Sequence, residues 1–169
     1  MTGANLFEPR FEEEDDPLGY ASRRARLGLH AGAEHLGASL YELDPGVAVC
    51  PYHWHAAEEE LLIVMEGEPS LRTPEGWREL KPGDVARFPV GLAGAHQIAN
   101  RGGERARVLL LSQRKDPEVC GYPDSRKIMA DAALGGFESG PDEISHLWRL
   151  DDSVDYFEGE PPAPGSQAG

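Results

Sequence analysis

Residues 51–67 constrain the fold most, because they place two histidines and a glutamate within one pair of candidate strands. Side chains alternate between the two faces of a β-strand, so His53 and His55 point to the same side. Glu60 begins an apolar run, residues 61–65, that forms the next candidate strand. Two imidazoles and one carboxylate on neighbouring strands can converge on one ion, so the stretch predicts most of a metal site.

A second segment, residues 83–100, supplies a further histidine, and the two segments together resemble the two motifs of the cupin family. The first motif is Gly-X5-His-X-His-X3/4-Glu-X6-Gly, met here by His53, His55, Glu60 and Gly67. The second is Gly-X5-Pro-X-Gly-X2-His-X3-Asn, met by Gly83, Pro89, Gly91, His96 and Asn100. There are two departures: Gly46 lies one residue too far ahead of His53, and residues 92–95 lengthen the gap before His96 by two residues. The resemblance covers about residues 35–113.

The resemblance implies a metal centre with four protein ligands: His53, His55, Glu60 and His96. Three neutral imidazoles and one carboxylate leave a divalent ion about one unit positive, and an octahedral ion keeps two positions open for water or substrate. We therefore expect one divalent transition metal ion, with iron, manganese, nickel and zinc all compatible with these ligands.

Short apolar runs with turn signals every eight to twelve residues predict an all-β chain, and the cupin resemblance makes it an antiparallel jelly-roll barrel with irregular N- and C-terminal extensions. The candidate strands are residues 35–43, 47–50, 61–65, 70–73, 77–80, 85–88, 95–99 and 107–112. We expect Leu62, Val64 and Ile98 to line the interior. The predicted boundaries are an acidic arm at residues 1–30, the barrel at 31–130 and a C-terminal extension that packs on the barrel at 131–169.

The extensions support weaker expectations. The acidic N-terminal residues 12–16 predict a loose arm, and the basic cluster at 23–26 predicts pairing with local carboxylates or, less simply, binding of an anionic ligand. Residues 122–129 receive no chemical role. Residues 142–150 are predicted to form one or two helical turns, and residues 154–159 to pack their aromatic side chains on the barrel, before a flexible Pro/Gly-rich end.

The charge balance excludes some partners: 30 acidic residues against 16 basic ones give a net charge of −14, which disfavours nucleic acid and anionic membranes. No apolar run approaches the roughly twenty residues of a membrane span, and the N-terminus lacks the pattern of a secretory signal, so we expect a cytoplasmic protein. Cys50 and Cys120 have no metal-binding spacing and are interpreted as reduced and structural.

Some residues near the motifs offer alternatives. Glu59 is the ligand if the three-residue spacing applies, although the six-residue gap to Gly67 favours Glu60. Glu58 or Glu59 can instead act as an acid or base at the cavity mouth. Further candidates for contact with an anionic substrate are Tyr41, Arg72 and Arg87. The lone histidines that we leave out of the site are His30, His35 and His146, and Cys50 is also left out.

The pattern supports three functional hypotheses. The first is a metal-dependent enzyme, of dioxygenase, isomerase or decarboxylase type, that acts on a small bidentate oxygen-rich metabolite such as a hydroxy acid, keto acid or sugar derivative. The second is a non-catalytic module that binds or senses a sugar or acid, and the third is a barrel whose ion only ties strands together. We also expect a homodimer, because Leu61, Ile63 and Met65 form an apolar row on an outer face, unless the N-terminal arm covers that row.

Overall fold

The computed structural model describes residues 3–13, 18–20, 22–133, 143–161 and 163, and within them almost all regular structure is β. One short helix, α1 (Leu27–Ala31), and three 3-10 helices, Leu92–Gly94, Pro123–Ser125 and Leu150–Asp152, complete the elements of the described residues. The strands are β1 (Glu12–Glu13), β2 (Arg23–Ala25), β3 (Leu36–Leu43), β4 (Trp54–His55), β5 (Glu60–Glu66), β6 (Ser70–Thr73), β7 (Gly76–Glu79), β8 (Val85–Phe88), β9 (Gln97–Ala99), β10 (Ala106–Gln113), β11 (Glu118–Tyr122), β12 (Lys127–Ala133) and β13 (Glu143–Arg149).

The strands pair in three antiparallel sheets. The largest has the order β1-β2-β3-β10-β5-β8, and a three-stranded sheet has the order β7-β6-β9. A third sheet has the order β13-β12-β11-β4. It joins β13 of the predicted C-terminal extension, through β12 and β11, to β4 of the predicted barrel. The expected all-β, antiparallel jelly-roll fold is confirmed.

The main core lies between the inward faces of the sheets, as the two-residue period of the strands requires. Leu62 and Val64 on β5 are buried, as is Ile98 on β9, which agrees with the sequence prediction. The other residues of this cluster are Tyr41, Leu43, Leu71, Leu80, Ala86, Phe88, Val108 and Leu110. Burying these side chains is the largest favourable contribution to the fold.

A second, smaller cluster lies on the outer face of β3 and changes the interpretation of the N-terminal arm. Ala25, Leu27 and Leu40 form it, with Leu6 and Phe11 packed against it. β1 and β2 also extend the large sheet at the edge of β3. The expectation of a loose arm is therefore wrong for the described part of these residues, because strand pairing and two apolar contacts offset the acidic composition. Residues 14–17 of the arm lie outside the described residues.

The C-terminal extension differs from two predictions. Residues 143–149 form a strand and not a helical turn, because the whole segment pairs with β12 from Lys127 to Ala133. The aromatic rings of Tyr156 and Phe157 are 87% and 78% exposed, so they do not pack on the barrel. Most of the predicted flexible end, residues 162 and 164–169, lies outside the described residues. Among the described residues, none of the helices has the length and apolar character needed to cross a membrane.

Candidate metal centre

Two backbone contacts bring the separated histidine segments together. The amide of His53 donates to the carbonyl of His96 at 3.1 Å, and the amide of His96 donates to the carbonyl of His53 at 2.8 Å. This antiparallel bridge places the two histidines as cross-strand neighbours. Glu60, the first residue of β5, faces the same interior as Leu62 and Val64. The fold thus brings the four predicted ligands to one end of the interior.

The ligand atoms of these side chains lie close together. The Nε2 atoms of His53 and His55 are 3.0 Å apart. Glu60 Oε2 lies 3.3 Å from Nε2 of His55 and 3.2 Å from Nε2 of His96. Adjacent ligand atoms that are each about 2.1 Å from an octahedral ion lie about 3 Å from one another. The ligand atoms of His53, Glu60 and His96 all lie within 4.8 Å of one another, so this first group fits a single divalent ion, and His55 lies beside His53 and Glu60.

The second nitrogens of two histidines are held by the backbone. Nδ1 of His53 lies 2.9 Å from the carbonyl oxygen of Pro51, and Nδ1 of His96 lies 3.0 Å from that of Gly94. A carbonyl only accepts, so each Nδ1 carries the hydrogen and each Nε2 presents its lone pair to the centre. Gly94 belongs to the 3-10 helix Leu92–Gly94, which takes up the longer gap before His96. The departure from the motif thus supplies part of the orientation of His96.

His55 is oriented by β11, which the sequence analysis did not connect to the site. Its Nδ1 lies 3.2 Å from the sulfur of Cys120 and 3.6 Å from Oε1 of Glu118. The Glu118 carboxylate also accepts from the amides of Ala56 at 2.9 Å and Ala57 at 3.1 Å, which fixes the chain just after His55. His55, Glu118 and Cys120 form a second group of possible ligands. Since His55 Nε2 faces the first group, we interpret Glu118 and Cys120 as supports of that imidazole.

The electrostatics of the cluster favour a cation. Glu60 Oε2 is buried and makes no hydrogen bond of good geometry within the described residues, although two imidazole nitrogens are near enough by distance. Burial raises the pKa of Glu60, but the imidazoles of His55 and His96 outweigh burial and hold that pKa well below its usual value. Burial lowers the pKa of His53 to about 4, so this imidazole is neutral and able to bind a metal.

The pKa of His55 moves the other way. Burial alone lowers it, but Cys120 and Glu60 outweigh burial and raise it to about 11. A positive imidazole beside the anionic Glu60 satisfies that carboxylate in part when no ion is bound. A divalent ion would take over this role more completely, because it can contact the orphaned oxygen and the three lone pairs together.

Comparison with known proteins supports the family predicted from the motifs. A family model described as a cupin domain matches residues 39–112, which contain all four predicted ligands. Residues 39–112 of this chain therefore form a cupin-type domain. No curated protein sequence matches the chain significantly.

Solved structures extend the similarity beyond the cupin domain. A protein of Acidithiobacillus ferrooxidans provisionally named a sugar phosphate isomerase is 28% identical, with a TM-score of 0.75 over 89% of this chain and 91% of that chain. A sugar phosphate isomerase of Silicibacter pomeroyi is 26% identical, with a TM-score of 0.74 over 89% and 94% of the two chains. A predicted oxalate decarboxylase of Thermotoga maritima, 22% identical with a TM-score of 0.56 over 66% and 98%, shares the fold.

The interior opens beside the ligand cluster in two neighbouring cavities, of about 510 and 220 Å³. His55 lines the larger one and Glu60 the smaller one, and both are lined by Arg24, Glu58 and Arg114. A larger cavity of about 580 Å³ lies beneath the N-terminal segment, but it contains none of the ligands. A small molecule can therefore reach the cluster from the side on which β2 and β11 lie.

Aromatic rings cover the other sides of the cluster. The ring of Phe88 stacks on His96 with centroids 3.7 Å apart, and the ring of Tyr122 lies 6.0 Å from His53. Burial raises the pKa of Tyr122 to about 12, so its hydroxyl is neutral. These contacts restrict water to the cavity side, where the electrostatic attraction of the site for an ion is strengthened.

Three of the alternative site residues named from the sequence lie away from the ligand cluster. Glu59 points outward and forms an ion pair with Arg87, which places both away from the cluster. Arg72 binds Asp124 and lies over the ring of Tyr52.

The remaining candidates include cavity residues. Tyr41 lines the smaller cavity. Glu58 accepts from the amide of Lys115 at 2.8 Å and lines both cavities. The lone histidine His30 lies 3.9 Å from Glu12 on the N-terminal arm, and His146 packs edge-on against Trp148 of β13.

The basic cluster of residues 23–26 divides between two environments. Arg23 and Arg26 pair with Glu42 and Glu12, as the first sequence interpretation predicted. Arg24 instead points into the interior and lines both cavities. The alternation of side chains along β2 indicates that Arg23 and Arg24 face opposite sides of the sheet. Which side is the interior is known only once the pairing of β2 with β3 is known.

Proposed function

We propose that this cupin is a metal-dependent enzyme that isomerises a small phosphorylated sugar, with one divalent transition ion held by His53, His55, Glu60 and His96. The observation that carries the proposal is that the imidazoles of His55 and His96 meet the orphaned Oε2 of Glu60, with His53 3.0 Å from His55, at the wall of an open cavity. A structural ion site is usually closed by its ligands, whereas this cluster faces a cavity.

The structural comparison supports the proposed substrate class. Both proteins that are named as sugar phosphate isomerases match 89% of this chain, and the cupin domain alone covers only residues 39–112. The similarity therefore extends beyond the domain, and in this chain β2 and β11, which lie outside the domain, supply cavity residues. A likeness that extends beyond the shared domain supports a similar bound molecule more than the shared domain alone does.

Sugar isomerisation requires a proton to move between adjacent carbons next to a carbonyl group. A divalent ion bound here supplies a Lewis acid that polarises a carbonyl or hydroxyl oxygen. Glu58 lies at the wall of both cavities, and burial raises its pKa. A carboxylate at the cavity wall can take up and return a proton, and a raised pKa makes it a stronger base. We assign the proton transfer to Glu58.

The experiment compares zinc-, manganese-, iron- and nickel-loaded protein on a panel of aldose and ketose phosphates, with isomer formation followed by NMR in deuterated water. Solvent deuterium should enter the carbon next to the carbonyl. Glu58→Gln should lower turnover at least a hundredfold while metal content stays unchanged. The matched control is Glu59→Gln, which removes a carboxylate that faces solvent. Tight binding without turnover under every metal would support the sensing hypothesis instead.

We also propose that the protein is a homodimer through the outer face of β5. Leu61 and Ile63 are half-buried, Met65 is exposed, and the cross-strand neighbour of Ile63, Val85 on β8, is exposed. The cluster around the N-terminal arm contains none of these side chains. A contiguous apolar face of this kind is typical of an interface.

Light scattering tests the dimer. Ile63→Glu should convert a dimer to a monomer, because a carboxylate would be buried at the contact. A matched control is Leu147→Glu, which introduces the same charge at an exposed leucine of β13. A wild-type monomer at micromolar concentration would contradict the proposal.

A further inference from the structure

We infer that Arg24 is the anion-binding residue of the cavity, and that its guanidinium takes the terminal phosphate of the substrate. This inference rests on the proposed function and adds the residue that selects a phosphorylated ligand. Four observations carry it: the direction of the side chain, its supports, its lack of a carboxylate partner, and the cavities that it shares with the ligand cluster.

The pairing of β2 with β3 decides the direction of Arg24. Arg24 is the cross-strand neighbour of Tyr41, a residue of the main core, whereas Ala25 is the neighbour of Leu40, a residue of the outer cluster. Neighbours across an antiparallel pair lie on the same face of the sheet. Arg24 therefore faces the interior, and Ala25 faces outward.

Two side chains of β3 hold the guanidinium of Arg24 in place. Its Nε and Nη2 atoms donate to the hydroxyl oxygen of Ser39 at 3.3 and 3.2 Å. Its central carbon lies 5.4 Å from the centre of the Tyr41 ring, within the range of a cation–π contact. Five N–H groups are available on a guanidinium, so several donors remain for a ligand. The group is thus positioned in advance for a planar, two-point contact.

The charge of Arg24 has no counterpart within the described residues. Arg23, the residue before it, and Arg26, two residues after it, each pair with a carboxylate. Arg24 is half-buried and makes its polar contact with a neutral hydroxyl. A half-buried guanidinium without a carboxylate is suited to a bidentate contact with phosphate oxygens.

The cavities also contain carboxylates, and most of them have their own partners. Glu118 accepts from two backbone amides beside His55, Glu58 accepts from the amide of Lys115, and Glu60 faces the imidazoles. Asp116 and Asp131 line only the larger cavity. Arg114 lines both cavities with Arg24, and Lys115 lines the larger one. The wall formed by Arg24, Arg114 and Ser39 is therefore the cationic side of the smaller cavity.

The shared cavities connect this cationic wall to the ligand cluster. Glu60 and Arg24 line the same cavity of about 220 Å³, and His55 and Arg24 line the neighbouring one of about 510 Å³. A short sugar that presents its carbonyl end to the ligand cluster has its other end in the same space as Arg24. An anion at that end would meet the guanidinium, whereas a neutral hydroxymethyl group would leave it without a counter-charge.

Calorimetry on the full-length protein tests the inference, first without added metal and then with zinc. The probes are inorganic phosphate, ribose 5-phosphate, ribose and ribonate. Arg24→Ala should weaken ribose 5-phosphate binding at least tenfold and leave any ribose binding unchanged, and Arg24→Lys should recover only part of the loss, since it keeps the charge without the two-point contact. The control is Arg78→Ala, which removes one positive charge from the exposed strand β7.

The thermal midpoint and zinc content of each variant separate a local effect from misfolding, and Arg24→Lys preserves the test if Arg24→Ala does not fold. Equal ribose 5-phosphate affinity in wild type and both Arg24 variants would overturn the inference. Binding of ribonate with neither phosphate probe would also overturn it, because the wall would then select a carboxylate. Arg24-dependent phosphate binding without any isomerisation would leave the inference intact and contradict the proposed function.

Discussion

Two buried carboxylates lie in the same large sheet, on the two strands that flank β10, and their surroundings are opposite. The side chain of Glu42 on β3 is 1% exposed and has ion pairs with Arg23, Arg105 and Arg107. The side chain of Glu60 on β5 is 13% exposed and faces three imidazoles, with one oxygen left without a hydrogen bond of good geometry. Glu42 faces outward and Glu60 faces the interior.

The difference separates a structural charge from one that is kept for a ligand. Arg23 and Arg107 are direct cross-strand neighbours of Glu42, so the sheet itself supplies its counter-charges. Glu60 instead pairs with the imidazole of His55 and lies beside His53 and His96, whose Nδ1 atoms are held by backbone carbonyls so that each Nε2 presents its lone pair to the same space. A buried carboxylate with fixed cations stabilises the fold, whereas one surrounded by lone pairs becomes fully satisfied only when a cation binds.

The largest effect is expected at Glu42. Glu42→Gln should lower the free energy of unfolding by about 3 kcal/mol, because three guanidiniums lose their shared counter-charge at a buried position. Urea unfolding followed by tryptophan fluorescence measures the change. The matched control is Glu59→Gln, which breaks the exposed pair with Arg87 and should cost less than about 0.5 kcal/mol. Equal losses of unfolding free energy in Glu42→Gln and Glu59→Gln would contradict the structural role of Glu42.

Glu60 should behave in the opposite way. Glu60→Gln should weaken zinc binding about a hundredfold, since a charged ligand is replaced by a neutral amide, and should cost less metal-free stability than Glu42→Gln, because one imidazole and not three guanidiniums loses its counter-charge. Competition with a chromophoric chelator measures the affinity. Zinc at about a hundred times its dissociation constant should stabilise the wild type by about 2.7 kcal/mol and Glu42→Gln equally.

The matched control for this metal site is His146→Ala, which removes an imidazole from the exposed strand β13. Its zinc affinity should equal that of the wild type. A Glu60→Gln protein with unchanged zinc affinity would contradict the metal-binding role of Glu60. A loss of metal-free stability as large as that of Glu42→Gln would contradict the difference between the two carboxylates.

The sequence predicted the role of Glu60 but not that of Glu42. The metal-binding role of Glu60 was predicted from its spacing to His55 and Gly67, which are local in the chain. The partners of Glu42 come from residues 23, 105 and 107, and no local pattern joins them. The alternating burial of Leu62 and Val64 was also predictable, because it depends only on the two-residue period of a strand.

The errors have the same origin. Residues 143–149 become a strand through pairing with β12, and Cys120 reaches His55 through the pairing of β11 with β4. Both contacts join elements whose order in a sheet is set by tertiary packing, which outweighs local propensity. The family resemblance could not supply them either, since the match to the cupin domain ends at residue 112.

Cys120 allows a smaller test of how the metal cluster is kept ready. Cys120→Ala removes the sulfur that lies 3.2 Å from Nδ1 of His55 and should weaken zinc binding about tenfold, because the imidazole loses a positioning contact. The control is Cys50→Ala, whose sulfur lies 3.5 Å from Nδ1 of His53 while the Pro51 carbonyl, at 2.9 Å, still holds that nitrogen. A loss for Cys50→Ala as large as that for Cys120→Ala would contradict the assignment.

The smallest effect on stability is expected from removing one of the three arginines that pair with Glu42. Arg105 is half-exposed and lies 3.1 Å from Glu42 Oε1, while Arg107 places two nitrogens at 2.8 and 2.6 Å from Oε2. Arg105→Ala should therefore lower the free energy of unfolding far less than Glu42→Gln does, since solvent screens the pair and two guanidiniums remain. A double-mutant cycle with Glu42→Gln should give a coupling of the same size. Zinc affinity should not change in Glu42→Gln or Arg105→Ala, because Glu42 and its arginines lie on the outer face of the sheet. Weaker zinc binding in Arg105→Ala would show that Glu42 and Glu60 are coupled through β10.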